Sequence, residues 1–313
     1  MSALGPGEKV LVTGGRGFLG SHLCRRLLNS GVEVHATSRH RQSPQNTQVK
    51  WWQADLEDIS AVRGLLTTTK PDVIYHLAGS VGASPSLELV LPTFNSLLLS
   101  TVNLLTAVAE TGCRRIILTG SLTEPQIGKS EPVPGSPYSA SKWAANAYGR
   151  MFHKLFATPC VIVRPFMTYG PGQDHRKIIP AVILSFLKGE APRLSSGRWE
   201  ADWVYVDDVT EGFLKVAVEP QIDGATIDLG SGQLVSVRAI VEQLTAIVGN
   251  GLKPLFGALP DRPFEQVRVA DIVDTYEKLR WEASISLETG LKQTVDWYRG
   301  QTVTPSHSSI QPL

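Results

Sequence analysis

The sequence predicts an α/β fold: a doubly wound parallel sheet over residues 1–165, then a smaller C-terminal α/β lobe over residues 166–300, partly interwoven with that sheet. Three observations lead there. Short, continuously apolar segments alternate with amphipathic helical stretches through the first half, as strands covered on both faces require. A glycine cluster, Gly14 to Gly20, stands between the first such strand and the first helix. After Pro165 the alternation breaks at a Gly170-Pro171-Gly172 turn.

Lys9 to Thr13 is the first predicted strand, followed by an amphipathic helix from Gly17 to Ser30 that Gly31 stops. Glu33 to Ser38 is the second strand, with a polar loop from Arg39 to Gln48 behind it. Further strands are predicted at Val49 to Ala54 and Asp72 to Leu77, separated by a helix over Ile59 to Leu66. A long helix over Leu97 to Thr111 precedes the β-branched strand Arg115 to Thr119. Another helix follows Pro137, and Pro159 to Arg164 forms a sixth strand. In the lobe the pattern gives helices at Ile178 to Lys188, Val209 to Val218, Ser236 to Val248 and Leu287 to Arg299, and a strand at Trp203 to Val206. The tail from Gln301 to Leu313 has no period and is expected to be flexible.

Hydrophobic residues make up 42% and charged residues 19% of the 313, enough for the core of an ordinary globular enzyme. A net charge of +1 offers no broad field for nucleic acid or a membrane surface. No uninterrupted apolar stretch approaches the roughly 20 residues that span a bilayer. Glu8 and Lys9 precede the first apolar run, which argues against a secretory signal, so a cytoplasmic protein is expected. Cys24, Cys113 and Cys160 are too few and too scattered for a disulfide framework or a zinc site, and no metal is expected.

Thr13-Gly14-Gly15-Arg16-Gly17-Phe18-Leu19-Gly20 has the form of a dinucleotide-binding turn. Its small residues let the backbone turn sharply, and let a pyrophosphate approach the free N–H groups at the helix N-terminus. Placement between a strand and a helix is what makes the pattern specific. The second strand ends Thr37-Ser38-Arg39-His40-Arg41, without the carboxylate that would hold an adenosine ribose. Arg39, with Arg16 from the glycine loop, could grip a 2′-phosphate, so NADP is the expected cofactor and NAD the alternative. The bland alternative is that both arginines are solvated loop charges. Asp55-Leu56 after the third strand faces adenine, or Asp55 caps the next helix. His76 stands beside Leu77-Ala78-Gly79, which would line the cofactor's centre; a lone histidine in apolar company is more often packed than catalytic.

Tyr138 and Lys142 are four residues apart, on one face of a helix. A tyrosine of pKa about 10 is a poor base at neutral pH, and a neighbouring ammonium would lower it. Ser121, just past the fifth strand, can hydrogen-bond the same reacting oxygen. The three suit proton exchange with a carbonyl or an alcohol.

These segments, with Arg164-Pro165-Phe166, Tyr169 to Gly172 and Trp203 to Val209, resemble the extended short-chain dehydrogenase/reductase family, in its nucleotide-sugar epimerase/dehydratase group. The resemblance implies a Rossmann domain, a nucleotide-sugar site in the C-terminal lobe, and homodimers packed through two helices per subunit, here those holding Leu97 to Ala109 and Ser141 to Phe156. It also implies that Lys142 contacts the nicotinamide ribose, Tyr138 exchanges the proton and Ser121 orients the substrate oxygen. Departures bear on the substrate. Leu122 and Thr123 stand where family dehydratases carry Asp-Glu, which disfavours dehydration. Met167 replaces a substrate-contacting Asn, and Ala201-Asp202 replaces an Arg-Asp pair, so Arg198 or Arg262 is expected to supply the missing charge. Ser121, Thr123, Met167, Arg198 and Arg262 are the expected substrate residues. NADPH-dependent reduction of a 4-keto nucleotide sugar is the leading expectation, and epimerisation with a recycled cofactor the alternative. Reduction of a small apolar ketone, or cofactor binding without turnover, stands behind both.

Overall fold

The computed structural model describes residues 4–39, 48–82, 84–125, 131, 133–261 and 266–303. The strands are β1 (Lys9–Thr13), β2 (Glu33–Ser38), β3 (Lys50–Gln53), β4 (Val73–His76), β5 (Arg115–Thr119), β6 (Cys160–Pro165), β7 (Met167–Tyr169), β8 (Glu200–Tyr205), β9 (Thr226–Leu229) and β10 (Leu234–Ser236). Seven of them form a parallel sheet in the order β3-β2-β1-β4-β5-β6-β9, and β10-β8-β7 form a second, mixed sheet. The order reverses between β1 and β4, which opens a crevice at the carboxyl ends of those strands.

Alternate side chains explain why these strands read as continuously apolar. Val10, Val12, Tyr75, Ile117, Val161 and Val163 face one core, while Leu11, Ile74, Ile116, Leu118 and Ile162 face another. The first face is covered by helices α1 (Phe18–Asn29), through Leu23 and Leu27, and α7 (Val206–Val218), through Val209 and Phe213. The other face is covered by α2 (Ile59–Thr69) and α4 (Ser100–Thr111), through Leu65, Leu66, Leu104 and Leu105. A third core in the lobe packs Val182, Ile183 and Phe186 against Ile240, Leu244, Leu291 and Val295. Its helices are α6 (Ile178–Leu187), α8 (Val237–Val248) and α10 (Leu287–Val303).

Several elements depart from expectation. The seventh strand, β9, comes from the lobe, and its Asp228 disguised it in the sequence. In the sheet that carboxylate pairs with Arg164, its register partner on β6, at 2.9 Å. Helix α9 (Ile272–Leu279) and the three-residue strands β7 and β10 were also unanticipated. The helix expected from Leu97 begins ten residues earlier: a 3₁₀ turn at Leu87–Leu89, then α3 (Val90–Thr93), then a π-helical segment over Phe94–Leu99, then α4. Pro92 lies in the first turn of α3, where its missing N–H costs nothing. This run is long and apolar enough to cross a membrane by length and composition, but its α4 face is packed on the sheet. Helix α10 continues to Val303, past Gln301, where a flexible tail was expected to begin.

Candidate active site

The glycine loop is built by close backbone approach. Gly14 adopts φ +68°, and a Cβ there would lie 2.8 Å from the Ala78 nitrogen. A Cβ on Gly20 would lie 2.3 Å from the Gly14 carbonyl oxygen. Gly17 is the N-cap of α1; no side chain caps that helix and its first turn carries no acid, which leaves its N-terminus suited to an anion. Phe18 packs edge-on against His22, and Leu19 joins two cores, so both hold the helix start in place. The residues therefore fit a dinucleotide pyrophosphate.

Arg16 and Arg39 are both exposed, at the carboxyl ends of neighbouring strands β1 and β2. Ser38 is partly buried, and the Arg39 carbonyl accepts from the Gln53 amide at 3.2 Å. The acid of β2, Glu33, lies at the opposite end of the strand, bound to Lys50 and His35. His40, Arg41 and Arg262 lie outside the described residues. Asp55 is exposed and accepts from the Glu57 amide, and the cap of α2 is Asp58. The alternative of Asp55 as that cap is thus corrected: the chain turns once more before the helix begins. Leu56 is buried, and its carbonyl accepts from Asn103. Leu77 and Ala78 both donate their amides to the Thr13 hydroxyl, and Gly79 admits the Leu97 side chain.

Ser136 caps α5 (Pro137–Phe156), which turns Tyr138 and Lys142 toward the end of β5. The Ser121 hydroxyl lies beside Tyr138, close enough to lower its pKa, and 2.9 Å from that of Thr123. Ser121, Tyr138 and Lys142 are thus gathered at one place. The Lys142 ammonium donates to the Thr119 carbonyl at 2.7 Å, and its burial lowers the pKa to about 8, against an upward pull from Glu124. Desolvation raises the Tyr138 pKa above its ordinary value, more than the neighbouring Ser121 hydroxyl lowers it. The expected lowering is corrected accordingly: burial of the phenol, with the nearby Glu124 charge, outweighs what lowers it.

Sequence reasoning overlooked Glu124. It is 5% exposed, and its Oε1 accepts from the Ser121 amide at 2.6 Å and from the Asn146 side chain at 2.7 Å. A Cβ on Gly120 would meet the same oxygen at 2.7 Å, so Gly120 leaves room for it. The signal was a carboxylate three residues past Ser121, one position beyond Leu122-Thr123. Leu122 is buried, and Thr123 lies partly buried beside Ser121. Met167 lies on β7, opposite Trp203 of β8. Arg198 sits exposed on a turn of the lobe, its amide donating to Ser196. Ala201 is buried, and Asp202 is a latch, its carboxylate accepting from the Ser231 amide and hydroxyl and from the amides of Gly232 and Ala270.

Residues 10–230 match the model of the NAD-dependent epimerase/dehydratase family. The chain is 30% identical over 324 residues to a UDP-glucose 4-epimerase of Mycolicibacterium smegmatis, covering 94% of this chain and 99% of that protein. It is 27% identical to a dTDP-glucose 4,6-dehydratase of Haemophilus influenzae, covering 92% and 97%. Among solved structures, a UDP-glucuronic acid 4-epimerase from Bacillus cereus, in complex with UDP-glucuronic acid and NAD, superposes with a TM-score of 0.83 at 28% identity, covering 94% of this chain and 99% of that one. The chain belongs to the NAD-dependent epimerase/dehydratase family, whose members are short-chain oxidoreductase-type enzymes.

Proposed function

We propose that this enzyme is a nucleotide-sugar 4-epimerase that keeps NAD bound and recycles it. The observation that carries the proposal is the gathering of Ser121, Tyr138 and Lys142 beside a dinucleotide cradle, in a chain aligned end to end with UDP-sugar 4-epimerases. The net reduction favoured by the sequence finds less support, since the curated relatives compared above are epimerases and dehydratases. Dehydration is disfavoured by the positions after Ser121: Leu122 is apolar, Thr123 is a hydroxyl, and one oxygen of Glu124 is held by two N–H donors.

The glycine loop and the α1 N-terminus would seat the pyrophosphate, Leu77 to Gly79 would line the central portion, and Lys142 would hold the nicotinamide ribose. When bound, the oxidised nicotinamide supplies a hydride acceptor and, being cationic, favours the Tyr138 phenolate. Tyr138 takes the proton of the sugar C4 hydroxyl as that carbon is oxidised, and returns it when the hydride comes back on the other face. Ser121 donates to the same oxygen and holds it in line with the Tyr138 hydroxyl. Thr123 and Met167 would border the sugar, and Arg198 and Arg262 are the candidates for its diphosphate. A homodimer is proposed through α4 and α5: Phe94 just before α4, and Tyr148, Leu155 and Phe156 on α5, are exposed and apolar. Light scattering of the purified protein gives the mass that decides it.

The test is incubation with UDP-galactose, and separately with UDP-glucuronate, without added dinucleotide. Appearance of the C4 epimer with no net change in NADH absorbance is expected. Stoichiometric oxidation of added NADPH with a 4-keto nucleotide sugar, and no epimer, would establish the ketoreductase instead. That second reading is favoured by one observation, the absence of a carboxylate after β2 among the described residues.

A further inference from the structure

The ammonium of Lys142 is held by a backbone carbonyl, that of Thr119, the last residue of β5. Thr119 has a side-chain anchor of its own: its hydroxyl donates to the His76 carbonyl at 2.9 Å. His76 is the last residue of β4, in register with Thr13 at the end of β1. Its ring lies between two hydroxyls, with Nδ1 at 2.8 Å from Thr13 and Nε2 at 2.9 Å from Thr101 on α4. Thr101 in turn donates to the Leu97 carbonyl at 2.5 Å, in the π-helical segment.

The proton positions in this chain follow from what each atom can do. The Leu97 carbonyl can only accept, so the Thr101 hydroxyl donates to it and accepts from His76 Nε2–H. The Thr13 hydroxyl already accepts the amides of Leu77 and Ala78, both at 3.1 Å, so its hydrogen goes to His76 Nδ1. The ring is therefore the neutral Nε2–H tautomer, and a second ring proton would leave the Thr13 hydrogen without an acceptor. Burial, and after it the charge of Lys142, holds the His76 pKa down to about 3, in keeping with that arrangement.

We propose that Thr119 is a positioning residue for Lys142, and that a hydrogen-bonded belt through Thr13, His76 and Thr101 fixes it in register with the glycine loop. The belt crosses the carboxyl ends of β1, β4 and β5, where the cofactor would lie. One end holds the amides of Leu77 and Ala78; the other sets the carbonyl on which the ammonium rests. Lys142 is thereby held to the sheet end. The proposal rests on Lys142 serving the reaction, and its test separates the two.

Thr119→Val removes the hydroxyl while keeping the β-branched shape and the carbonyl. The Lys142 side chain can be followed by NMR of lysine-labelled protein, its signal assigned by loss in Lys142→Arg. With a loosened carbonyl the buried ammonium loses its acceptor, so its titration midpoint should fall further below about 8. The expected fall is about half a pH unit, part of one hydrogen bond, and Thr119→Ser should restore it. In the UDP-galactose assay Thr119→Val should lower kcat roughly 3- to 10-fold with KM little changed, again restored by Ser. An unchanged lysine midpoint in Thr119→Val overturns the belt, whatever the enzyme catalyses. A shifted midpoint with unchanged kcat supports the belt and removes Lys142 from the reaction.

Discussion

Two alanine substitutions in the glycine loop should separate the fold from the cofactor seat. A Cβ on Gly20 would lie 2.3 Å from the Gly14 carbonyl oxygen and 2.9 Å from the Gly15 Cα, where ordinary contact starts at 3.4 Å. The loop would have to open by about 1 Å against backbone, and Gly14 cannot recede because it already abuts Ala78. Overpacking of this kind costs about 1–3 kcal/mol, which at roughly 2–4 °C per kcal/mol lowers Tm by several degrees. Gly17 differs: its Cβ would meet only the Gly14 oxygen, at 3.2 Å, in an extended conformation that alanine adopts freely. As an N-cap, Gly17→Ala should cost no more than about 1 kcal/mol, yet it places a methyl where the pyrophosphate is proposed to approach the α1 amides. Differential scanning fluorimetry and calorimetric titration with NAD are the assays. Gly20→Ala should lose both Tm and affinity, and Gly17→Ala affinity alone. Wild-type NAD affinity in Gly17→Ala would refute the placement of the pyrophosphate, and an unchanged Tm in Gly20→Ala would refute the steric argument.

Tyr138→Phe should lower epimerase turnover by about 10²- to 10⁴-fold while calorimetry finds NAD affinity intact; near-normal turnover would take the phenol out of the reaction. Glu124→Gln keeps the acceptor that serves Ser121 and Asn146 but removes the negative charge that supports the Lys142 ammonium. Its sign is fixed: the charged form of the lysine is disfavoured, so the alkaline limb of kcat/KM, expected near pH 8 in the unmutated enzyme, should move to lower pH. A limb that stays in place would show that the carboxylate matters only as a hydrogen-bond acceptor. Arg39→Ala should weaken NADPH binding and leave NADH nearly unchanged; equal losses for the two would mean that no 2′-phosphate contact exists there.

The fold was legible where one local rule governs a segment. Strands β1 and β5 carry apolar residues along most of their length, β2 alternates Val34 and Ala36 with polar residues, and the predicted limits of all three coincide with those observed. Strand β9 was not legible, because Thr226-Ile227-Asp228-Leu229 makes sense only once Arg164 stands beside Asp228 on the neighbouring strand. The early start of the helix at Leu87 was hidden by Pro92, which usually ends a helix and here lies in the first turn of α3. Helix α9 exposes Ile272, Val273 and Tyr276, so its apolar period gave no clean buried stripe.

The candidate site divides along the same line. Gly14 to Gly20, and Tyr138 with Lys142, were visible because the groups that act together are neighbours on one loop or one helical face. Their supports are separated along the chain, 63 residues between Thr13 and His76, 25 between His76 and Thr101, and 22 between Glu124 and Asn146, and no spacing rule joins them. What joins them is a requirement of buried chemistry: each polar atom brought under the sheet ends needs a partner of opposite role. That requirement restricts what can change. Replacing His76 takes the acceptor from the Thr13 hydroxyl hydrogen and the N–H donor from the Thr101 oxygen together, whereas replacing exposed Arg198 removes a charge interaction with Asp261. The buried floor under Lys142 should therefore tolerate substitution less well than the exposed loop bearing Arg198. On the proposed function, specificity then belongs to the lobe and chemistry to the sheet ends. Exchanging Arg198 should accordingly alter KM among nucleotide sugars at nearly constant kcat, and a loss confined to kcat would reverse the assignment.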